Sequence, residues 1–147
     1  MYKILVVDDE VGIRSIIRKY AEFEGHTVYE AGDGMEAVYR YRESGADIII
    51  MDIMMPVMDG LTLCARLRSN FTTSHIPIIL LTAHVSEKHN VEGLGIGADD
   101  YIAKPFSVDI LRARCKNLLK NRKMLQSSQV TIFHIYHEGK KHLAIHV

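Results

Sequence analysis

Residues 48–60, with the sequence IIIMDIMMPVMDG, decide the fold because they carry one carboxylate out of an apolar run and into a loop. Ile48 to Met51 show no alternation of apolar and polar residues, which predicts a short strand buried on both faces and hence a parallel sheet. Asp52 follows at the expected end of this strand. Because ligands of open α/β sheets bind at the carboxyl ends of the strands, the residues that follow the other strands should complete a site around Asp52.

Four other segments are predicted to be short strands. They are residues 3–7, 27–31, 76–81 and 100–103. Asp8 and Asp9 follow the first, Thr82 follows the third, and Lys104 follows the last. Between the strands, apolar residues recur at helical spacing in residues 12–24, 33–43, 61–67 and 107–119, and a weaker, polar helix is predicted for about residues 86–94. Five strands that alternate with five helices predict a parallel sheet covered on both faces.

Several polar residues are expected at helix ends or in solvated loops rather than in a site. Asp33, with Glu36 three residues later, resembles a capping box, and Ser107 is the expected N-cap of the last helix. Asp47 and Asp59 are interpreted in the same structural way. This interpretation leaves the acids that directly follow the buried strands as the candidates for chemistry.

Length and composition indicate one domain with a short extension. The chain has 147 residues, of which 48% are apolar, and this is enough for a full core. Residues 1–126 are predicted to form the domain, and residues 127–147 a C-terminal extension whose two β-prone segments suggest a hairpin. Residues 1–111 contain 10 Lys and Arg against 17 Asp and Glu, whereas residues 112–147 contain 8 against 1. The body is therefore acidic and the C-terminal end basic.

Other patterns exclude several classes of protein. No apolar run approaches the roughly 18 residues of a membrane span, and the start lacks the pattern of a signal peptide, so we expect a cytoplasmic protein without a membrane partner. Cys64 and Cys115 are expected to be reduced core thiols. The glycines at 93, 95 and 97 precede a strand, whereas the glycines of a dinucleotide-binding fingerprint follow one.

The strand ends together supply the groups that phosphoryl transfer to a carboxylate needs. Asp8, Asp9 and Asp52 would repel one another unless a cation neutralised them, and oxygen ligands of this kind favour Mg²⁺. Because Mg²⁺ takes only one or two carboxylates, one acid is left to accept a phosphoryl group as an acyl phosphate. Thr82 and Lys104 have the hydroxyl and the positive charge that the transferred oxygens require.

With these residues in place, the chain resembles a response-regulator receiver domain (CheY-like) of bacterial two-component signalling. The resemblance covers about residues 2–123 and is carried by VVDDE, by the Asp52 strand with MMPVMDG, by LLTA and by GADDYIAKPF, in that order. It implies a flavodoxin-like doubly wound (βα)5 fold with the strand order 2-1-3-4-5. It also implies that a sensor histidine kinase donates the phosphoryl group, that the conformation then switches to signal to an output domain or effector protein, and that this domain does not itself bind nucleic acid.

The same resemblance assigns a role to each site residue. Asp52 would be the phospho-acceptor, Asp9 a direct Mg²⁺ ligand, Asp8 a ligand that acts mainly through water, and the backbone carbonyl of Met54 a further ligand. Thr82 and Lys104 would bind the phosphoryl group, and Tyr101 would change rotamer with Thr82. The Lys104–Pro105 bond matches a peptide bond that is cis in the family.

Two other functions compete with this interpretation. Phosphatases of the haloacid-dehalogenase type also use Mg²⁺ and an aspartyl nucleophile, but they need a second acid two residues after it, where this chain has Met54. A degenerate receiver that acts only as an interaction adaptor is the third hypothesis, although no motif position is degenerate. The receiver interpretation implies that the chain is not an enzyme in the ordinary sense, because it would catalyse only its own phosphorylation and dephosphorylation.

The C-terminal part of the sequence does not decide the oligomeric state or whether the receiver stands alone. Asp100 and Arg114 match two positions of the charge pairs through which some receivers dimerise, but Ile110 and Asn90 stand where the family has a Glu and a basic residue. The run RARCKNLLKNRKMLQ resembles the receiver exit of hybrid sensor proteins, so an excised module and a stand-alone receiver both remain open. The apolar residues of the extension predict a homodimer through strand pairing, with a folded-back hairpin in a monomer as the rival.

Overall fold

The structure is a computed structural model that describes residues 1–83 and 97–121. Within these ranges it contains five strands and four helices. In chain order they are β1 (Lys3–Val7), α1 (Val11–Phe23), β2 (Thr27–Ala31), α2 (Gly34–Ser44), β3 (Ile48–Asp52), α3 (Gly60–Ser69), β4 (Ile78–Thr82), β5 (Asp100–Ala103) and α4 (108–121). The helix predicted near residues 86–94, Asn90 and the extension at 127–147 lie outside the described residues.

The five strands form one parallel sheet in the order β2-β1-β3-β4-β5. This confirms the predicted flavodoxin-like architecture and the strand order. All five residues of β3 and all five of β4 are buried, as expected for unbroken apolar runs in the middle of a sheet. Strand β2, at one edge, has an exposed first residue and two half-buried ones, which explains why its sequence is less apolar.

The helices cover both faces of the sheet because successive strand residues point to opposite sides. One apolar cluster joins alternate strand residues to Ala37 of α2 and to Leu63 and Leu67 of α3. The other joins the remaining strand residues to Ile17 of α1 and to Leu111 of α4. Both cysteines are free and buried within these clusters, as predicted. Within the described ranges, no helix combines the length and hydropathy that a membrane span needs.

Helix ends are capped largely as predicted. The Asp33 side chain accepts a hydrogen bond from the Glu36 amide at 2.8 Å, and the Asp59 side chain accepts one from the Thr62 amide at 2.8 Å. The carbonyl of Ser107 accepts from the Leu111 amide at 3.0 Å in the first turn of α4. These acids satisfy amides that the first turn of a helix leaves without a partner.

Three boundaries, on two strands, differ from the prediction. Asp52 and Thr82 are the last residues of β3 and β4 rather than the first residues after them, and β4 begins at Ile78 rather than at Ile76. The later start of β4 has a local cause, because the Ile76 amide donates to the Thr73 carbonyl at 3.2 Å, within the turn that precedes the strand. The site residues therefore belong to the sheet itself.

Arg68 of α3 ties the chain segments that lead into β4 and β5. Its guanidinium group donates hydrogen bonds to the carbonyls of Gly97, Ser74 and Ile76, at 2.8, 3.1 and 2.6 Å, and pairs with Asp99 at 2.6 Å. Asp99 in turn accepts a hydrogen bond from the amide of β4 at its first residue. A single side chain thus aligns the strand that supplies Thr82 with the strand that leads to Lys104.

Arg68→Ala should lower the free energy of unfolding by about 2 kcal/mol or more, because three carbonyls and one carboxylate lose a charged donor together. Arg66→Ala is the matched control, since Arg66 lies on the same helix and is exposed, and within residues 1–83 and 97–121 its side chain makes one long contact, of 3.9 Å, to the Met35 sulfur. Urea denaturation of both variants measures the difference. Equal losses would contradict the role assigned to Arg68.

Candidate functional site

The carboxyl ends of four neighbouring strands bring the predicted site residues to one edge of the sheet. In the sheet register Val7 lies beside Met51, and Thr82 lies beside Ala103. The residues that end or follow these strands are Asp8 and Asp9 after β1, Asp52 in β3, Thr82 in β4 and Lys104 after β5. One carboxylate oxygen from each of the three acids lies within 4.8 Å of the others. We call Asp8, Asp9 and Asp52 the acid cluster.

Asp8 is completely buried and held at every polar atom. Its amide donates to the carbonyl of Ala31 at 3.0 Å, and its carbonyl accepts from Arg14 at 2.5 Å. One carboxylate oxygen accepts from the Glu10 amide at 2.9 Å, and the other from Lys104 Nζ at 2.8 Å. Its neighbour in the cluster, the next residue along the chain, is exposed. Two adjacent acids of the same type therefore have opposite environments.

Burial and a neighbouring negative charge disfavour the charged form of Asp52. The residue is only 5% exposed, and burial together with the charge of Asp8 raises its pKa from 3.8 to about 6, although Lys104 opposes the rise. A raised pKa means that the charged form of the carboxylate is destabilised. A cation that approaches the carboxylate therefore stabilises that charged form. The donor set, three carboxylates within 4.8 Å, consists of the hard oxygen ligands that suit Mg²⁺.

Lys104 is the cation that the fold itself supplies to this edge. Its Nζ lies 2.8 Å from Asp8 Oδ2, 3.4 Å from Asp52 Oδ1 and 3.8 Å from Glu10 Oε1. Burial alone would lower the pKa of Lys104, but its hydrogen bond to Asp8 and the charge of Asp52 outweigh that effect, so the pKa lies above its ordinary value. The Lys104 amide donates to the Thr82 carbonyl, which extends the β4–β5 pairing to this residue.

Thr82 and Tyr101 lie on the same face of the sheet. Tyr101 pairs in register with Leu80, which is two residues before Thr82 and so points to the same side. Thr82 is 1% exposed, and Tyr101 is half-buried against the cluster that contains Leu80. The Lys104–Pro105 peptide bond is cis, as the family resemblance implied.

Gly60 places the start of α3 directly against the backbone of Asp52. A Cβ atom at Gly60 would lie 2.1 Å from the Asp52 carbonyl oxygen, so only glycine fits. The Gly60 amide also donates to the Ile53 carbonyl at 2.8 Å, which closes the loop between β3 and α3. Met54 lies in this loop with its side chain 63% exposed, and Val57 has a φ of 68°, an unusual conformation for a β-branched residue.

Sequence reasoning missed three residues that shape the site. The sequence places Gly60 in the segment after Asp52 but does not show its close approach to the Asp52 carbonyl, which the packing of α3 against β3 creates. Arg14 and Glu30 form an ion pair at 3.0 Å whose arginine also binds the Asp8 carbonyl. Their signal was a basic residue on the first helix and an acid near the end of the second strand, but only the register of β1 and β2 joins them.

An apolar groove of about 440 Å³ lies elsewhere, between α1 and α4. Ile17, Ala21, Leu111, Cys115 and Leu119 are among the residues that line it, and no residue of the acid cluster does. The acid cluster therefore lies at the strand ends and not in this groove.

The geometry agrees with the comparison of the sequence with known families. The profile of the response regulator receiver domain matches residues 4–116. This chain is a member of the response regulator receiver domain family. Among its curated relatives is the response regulator MprA of Mycobacterium ulcerans (strain Agy99), 43% identical over 122 residues, which are 83% of this chain and 52% of that protein. MprA of Mycobacterium leprae (strain TN) is 42% identical over 82% of this chain and 52% of its own length. The receiver thus spans about half the length of the curated relatives it matches.

Solved receiver structures have the same fold as this receiver. The receiver domain of the Francisella response regulator 1452 has a TM-score of 0.74 at 38% identity, over 82% of this chain and 98% of that one. The receiver domain of a signal transduction histidine kinase from Syntrophus aciditrophicus has a TM-score of 0.76 at 34% identity, over 82% and 92%. NtrX from Brucella abortus has a TM-score of 0.79 at 28% identity, but the match covers only 30% of that longer chain.

Asp52→Asn should stabilise the receiver by about 2 kcal/mol at pH 7 in metal-free buffer, because it removes a buried charge that Asp8 repels. The folded state holds the Asp52 proton more tightly than the unfolded chain, since the pKa is raised from 3.8 to about 6. The charged form therefore destabilises the protein increasingly as the pH rises from about 4 to 6, and the advantage of Asn should shrink as the pH falls through that range.

Thermal denaturation at several pH values in a chelating buffer checks this prediction. Asp109→Asn is the control, because the Asp109 side chain is 91% exposed and its loss should change little. A wild-type protein that is more stable than Asp52→Asn at pH 7 without metal would contradict the prediction.

Proposed function

We propose that this receiver accepts a phosphoryl group from a sensor histidine kinase onto Asp52, with Mg²⁺, and passes the change in conformation to an output domain or a partner protein. The observation that carries the proposal is the acid cluster, with its oxygens within 4.8 Å of one another and with Lys104 Nζ 3.4 Å from Asp52. Membership of the receiver family supports the same function. In this proposal the protein catalyses only its own phosphorylation and dephosphorylation, and it acts in the cytoplasm.

Asp52 is the proposed nucleophile because it is the cluster member that β3 itself holds. One of its carboxylate oxygens forms a bond to phosphorus as the bond between phosphorus and the histidine nitrogen of the kinase breaks, and the electron pair of that bond stays on the imidazole nitrogen. The product is an acyl phosphate on Asp52. The low exposure of Asp52, 5%, keeps most of the surrounding water away from this mixed anhydride.

The residues that would hold Mg²⁺ are Asp8, Asp9, Asp52 and the backbone carbonyl of Met54. A bound Mg²⁺ would neutralise the negative charge that builds up on the transferred phosphoryl oxygens. Asp9 is exposed and therefore open to a hydrated ion, whereas both carboxylate oxygens of Asp8 already accept hydrogen bonds. This difference supports a direct role for Asp9 and a water-mediated role for Asp8.

Lys104 and Thr82 are the proposed phosphoryl-binding residues. Lys104 bridges Asp8 and Asp52, so its ammonium group is already beside the acceptor and can pair with the new phosphoryl oxygens. Thr82 is the last residue of the neighbouring strand β4, and its hydroxyl group can donate a hydrogen bond to the same oxygens. Tyr101, on the face that Thr82 shares, is the proposed aromatic residue that changes rotamer when Thr82 moves, next to the cis Lys104–Pro105 bond.

The length of the curated relatives supports a receiver that signals to another domain or protein. The proposed receiver domain comprises residues 1–126, and residues 127–147 are the proposed C-terminal extension. The relatives that match over about half their length have further sequence beyond the receiver. An output domain or effector protein is therefore the proposed recipient of the signal, and the histidine kinase is the proposed donor.

Incubation with Mg²⁺ and a small phosphodonor such as acetyl phosphate should add one phosphoryl group, and it should be on Asp52. Intact-mass measurement should show one added phosphate in the wild type and none in Asp52→Asn. Asp47→Asn is a matched control, because Asp47 accepts a hydrogen bond from the Lys3 amide at the amino ends of β1 and β3, opposite to the site. This variant should be labelled as the wild type is. Unchanged labelling of Asp52→Asn would refute Asp52 as the acceptor.

Asp9→Ala should abolish Mg²⁺ binding, whereas Lys104→Ala should bind Mg²⁺ at least as tightly as the wild type. Asp9 is a proposed ligand, while the Lys104 ammonium competes with a metal ion for Asp8 and Asp52 at 2.8 and 3.4 Å. Titration of each variant with Mg²⁺, followed by NMR chemical shifts of the site amides, separates the two roles. An equal loss of binding in both variants would show that the roles are wrongly assigned.

A further inference from the structure

Arg14 is the side chain that connects helix α1 to the main chain of the acid cluster. Its Nη1 donates a hydrogen bond to the Asp8 carbonyl oxygen at 2.5 Å, and its Nε lies 3.0 Å from Glu30 Oε1 on β2. Both side chains are largely buried, with 16% and 23% exposure. The fork of the guanidinium group allows one residue to bind the carbonyl and the carboxylate at the same time, which a lysine cannot do in the same way.

The carbonyl that Arg14 binds belongs to the peptide unit that joins Asp8 to Asp9. Because a peptide unit is planar, the position of the Asp8 carbonyl oxygen fixes the direction of the Asp9 amide and limits where the Asp9 side chain can point. The Asp8 side chain is fixed separately, by Glu10 and Lys104. Asp9 itself is exposed, so its orientation depends strongly on this peptide plane.

We propose that Arg14, anchored by Glu30, is a positioning residue that orients Asp9 toward the cation site. The inference rests on the Mg²⁺ binding proposed above. It adds Arg14 of helix α1, which touches none of the proposed metal-binding atoms. Groups that orient metal ligands commonly change metal affinity by roughly tenfold or more when they are lost.

The electrostatic effect and the positioning effect of Arg14 have opposite signs. Arg14 is a cation that binds the main chain of the acid cluster, so the loss of its charge should by itself strengthen the binding of a divalent cation. Loss of its hydrogen bond to Asp8 frees the peptide plane and should weaken that binding. The direction of the change in affinity therefore decides between the two roles.

Arg18 provides the matched control. It pairs with the other carboxylate oxygen of the same Glu30 and donates to the Val28 carbonyl at 2.8 Å. Both of these partners lie on β2, and neither belongs to the acid cluster. Arg18→Gln therefore removes the same charge and the same kind of bond from the same helix without changing the Asp8–Asp9 peptide unit.

The test is a titration of the full chain with Mn²⁺, with the free ion measured by electron paramagnetic resonance and with Mg²⁺ as the competitor. Arg14→Gln should bind Mn²⁺ about tenfold more weakly than the wild type, and Arg14→Lys should also bind more weakly although its charge is kept. Arg18→Gln should bind as the wild type does or slightly more tightly. Thermal denaturation in a chelating buffer, done on each variant, shows that the folded protein is being compared.

An Arg14→Gln variant that binds Mn²⁺ as tightly as the wild type, or more tightly, would overturn the positioning role. If Arg14→Gln does not fold, Arg14→Lys carries the same test, because it disturbs the hydrogen bonds of Arg14 while keeping the positive charge and more of the local packing. A wild-type protein that does not bind Mn²⁺ would overturn the proposed function, and this inference with it. Weak binding in Arg14→Gln but not in Arg18→Gln supports the inference.

Discussion

The ammonium group of Lys104 offsets the repulsion that the fold creates at the carboxyl ends of its strands. It lies 2.8 Å from Asp8 and 3.4 Å from Asp52, and its main-chain amide donates to the carbonyl of Thr82. Residues that end or follow three of the parallel strands thus contact Lys104, two through its side chain and one through its main chain. Even so, burial and the charge of Asp8 raise the pKa of Asp52 to about 6, so one lysine leaves part of the negative charge uncompensated. That residual negative charge is consistent with the cation site and the phosphoryl acceptor proposed for this edge of the sheet.

Much of the fold could be predicted from the sequence because its signals are local. The apolar runs that became β3 and β4 lack alternation, and strands buried on both faces require helices above and below them. Alternation of strands with helices then restricts the connections to right-handed crossovers. The same rule brings the residues after β1, β3 and β5 to one edge, which is why Asp52 and Lys104 could be expected in one site before any distance was known.

Other features of the site depend on register and on side-chain conformation, which the sequence does not show directly. Asp8 is buried and the acid beside it is exposed, although both follow the same strand. Arg14 and Glu30 meet only because β1 and β2 pair in one particular register. The start of β4 was predicted two residues too early, since Ile76 is as apolar as its neighbours but its amide closes a turn with Thr73.

The short bridge between Gly60 and Ile53 has a consequence for how this surface can diverge. The hydrogen bond of 2.8 Å joins the two ends of the loop between β3 and α3. The close approach of Gly60 to the Asp52 carbonyl holds these loop ends against strand β3. Loops with pinned ends tolerate substitution and insertion at their tips. Exposed Val57, at the tip, can therefore vary without displacing the Asp52 carboxylate. The exposed tip of this loop and the position of the Asp52 carboxylate can thus diverge independently, although Val57 and Asp52 are separated by only five residues of chain.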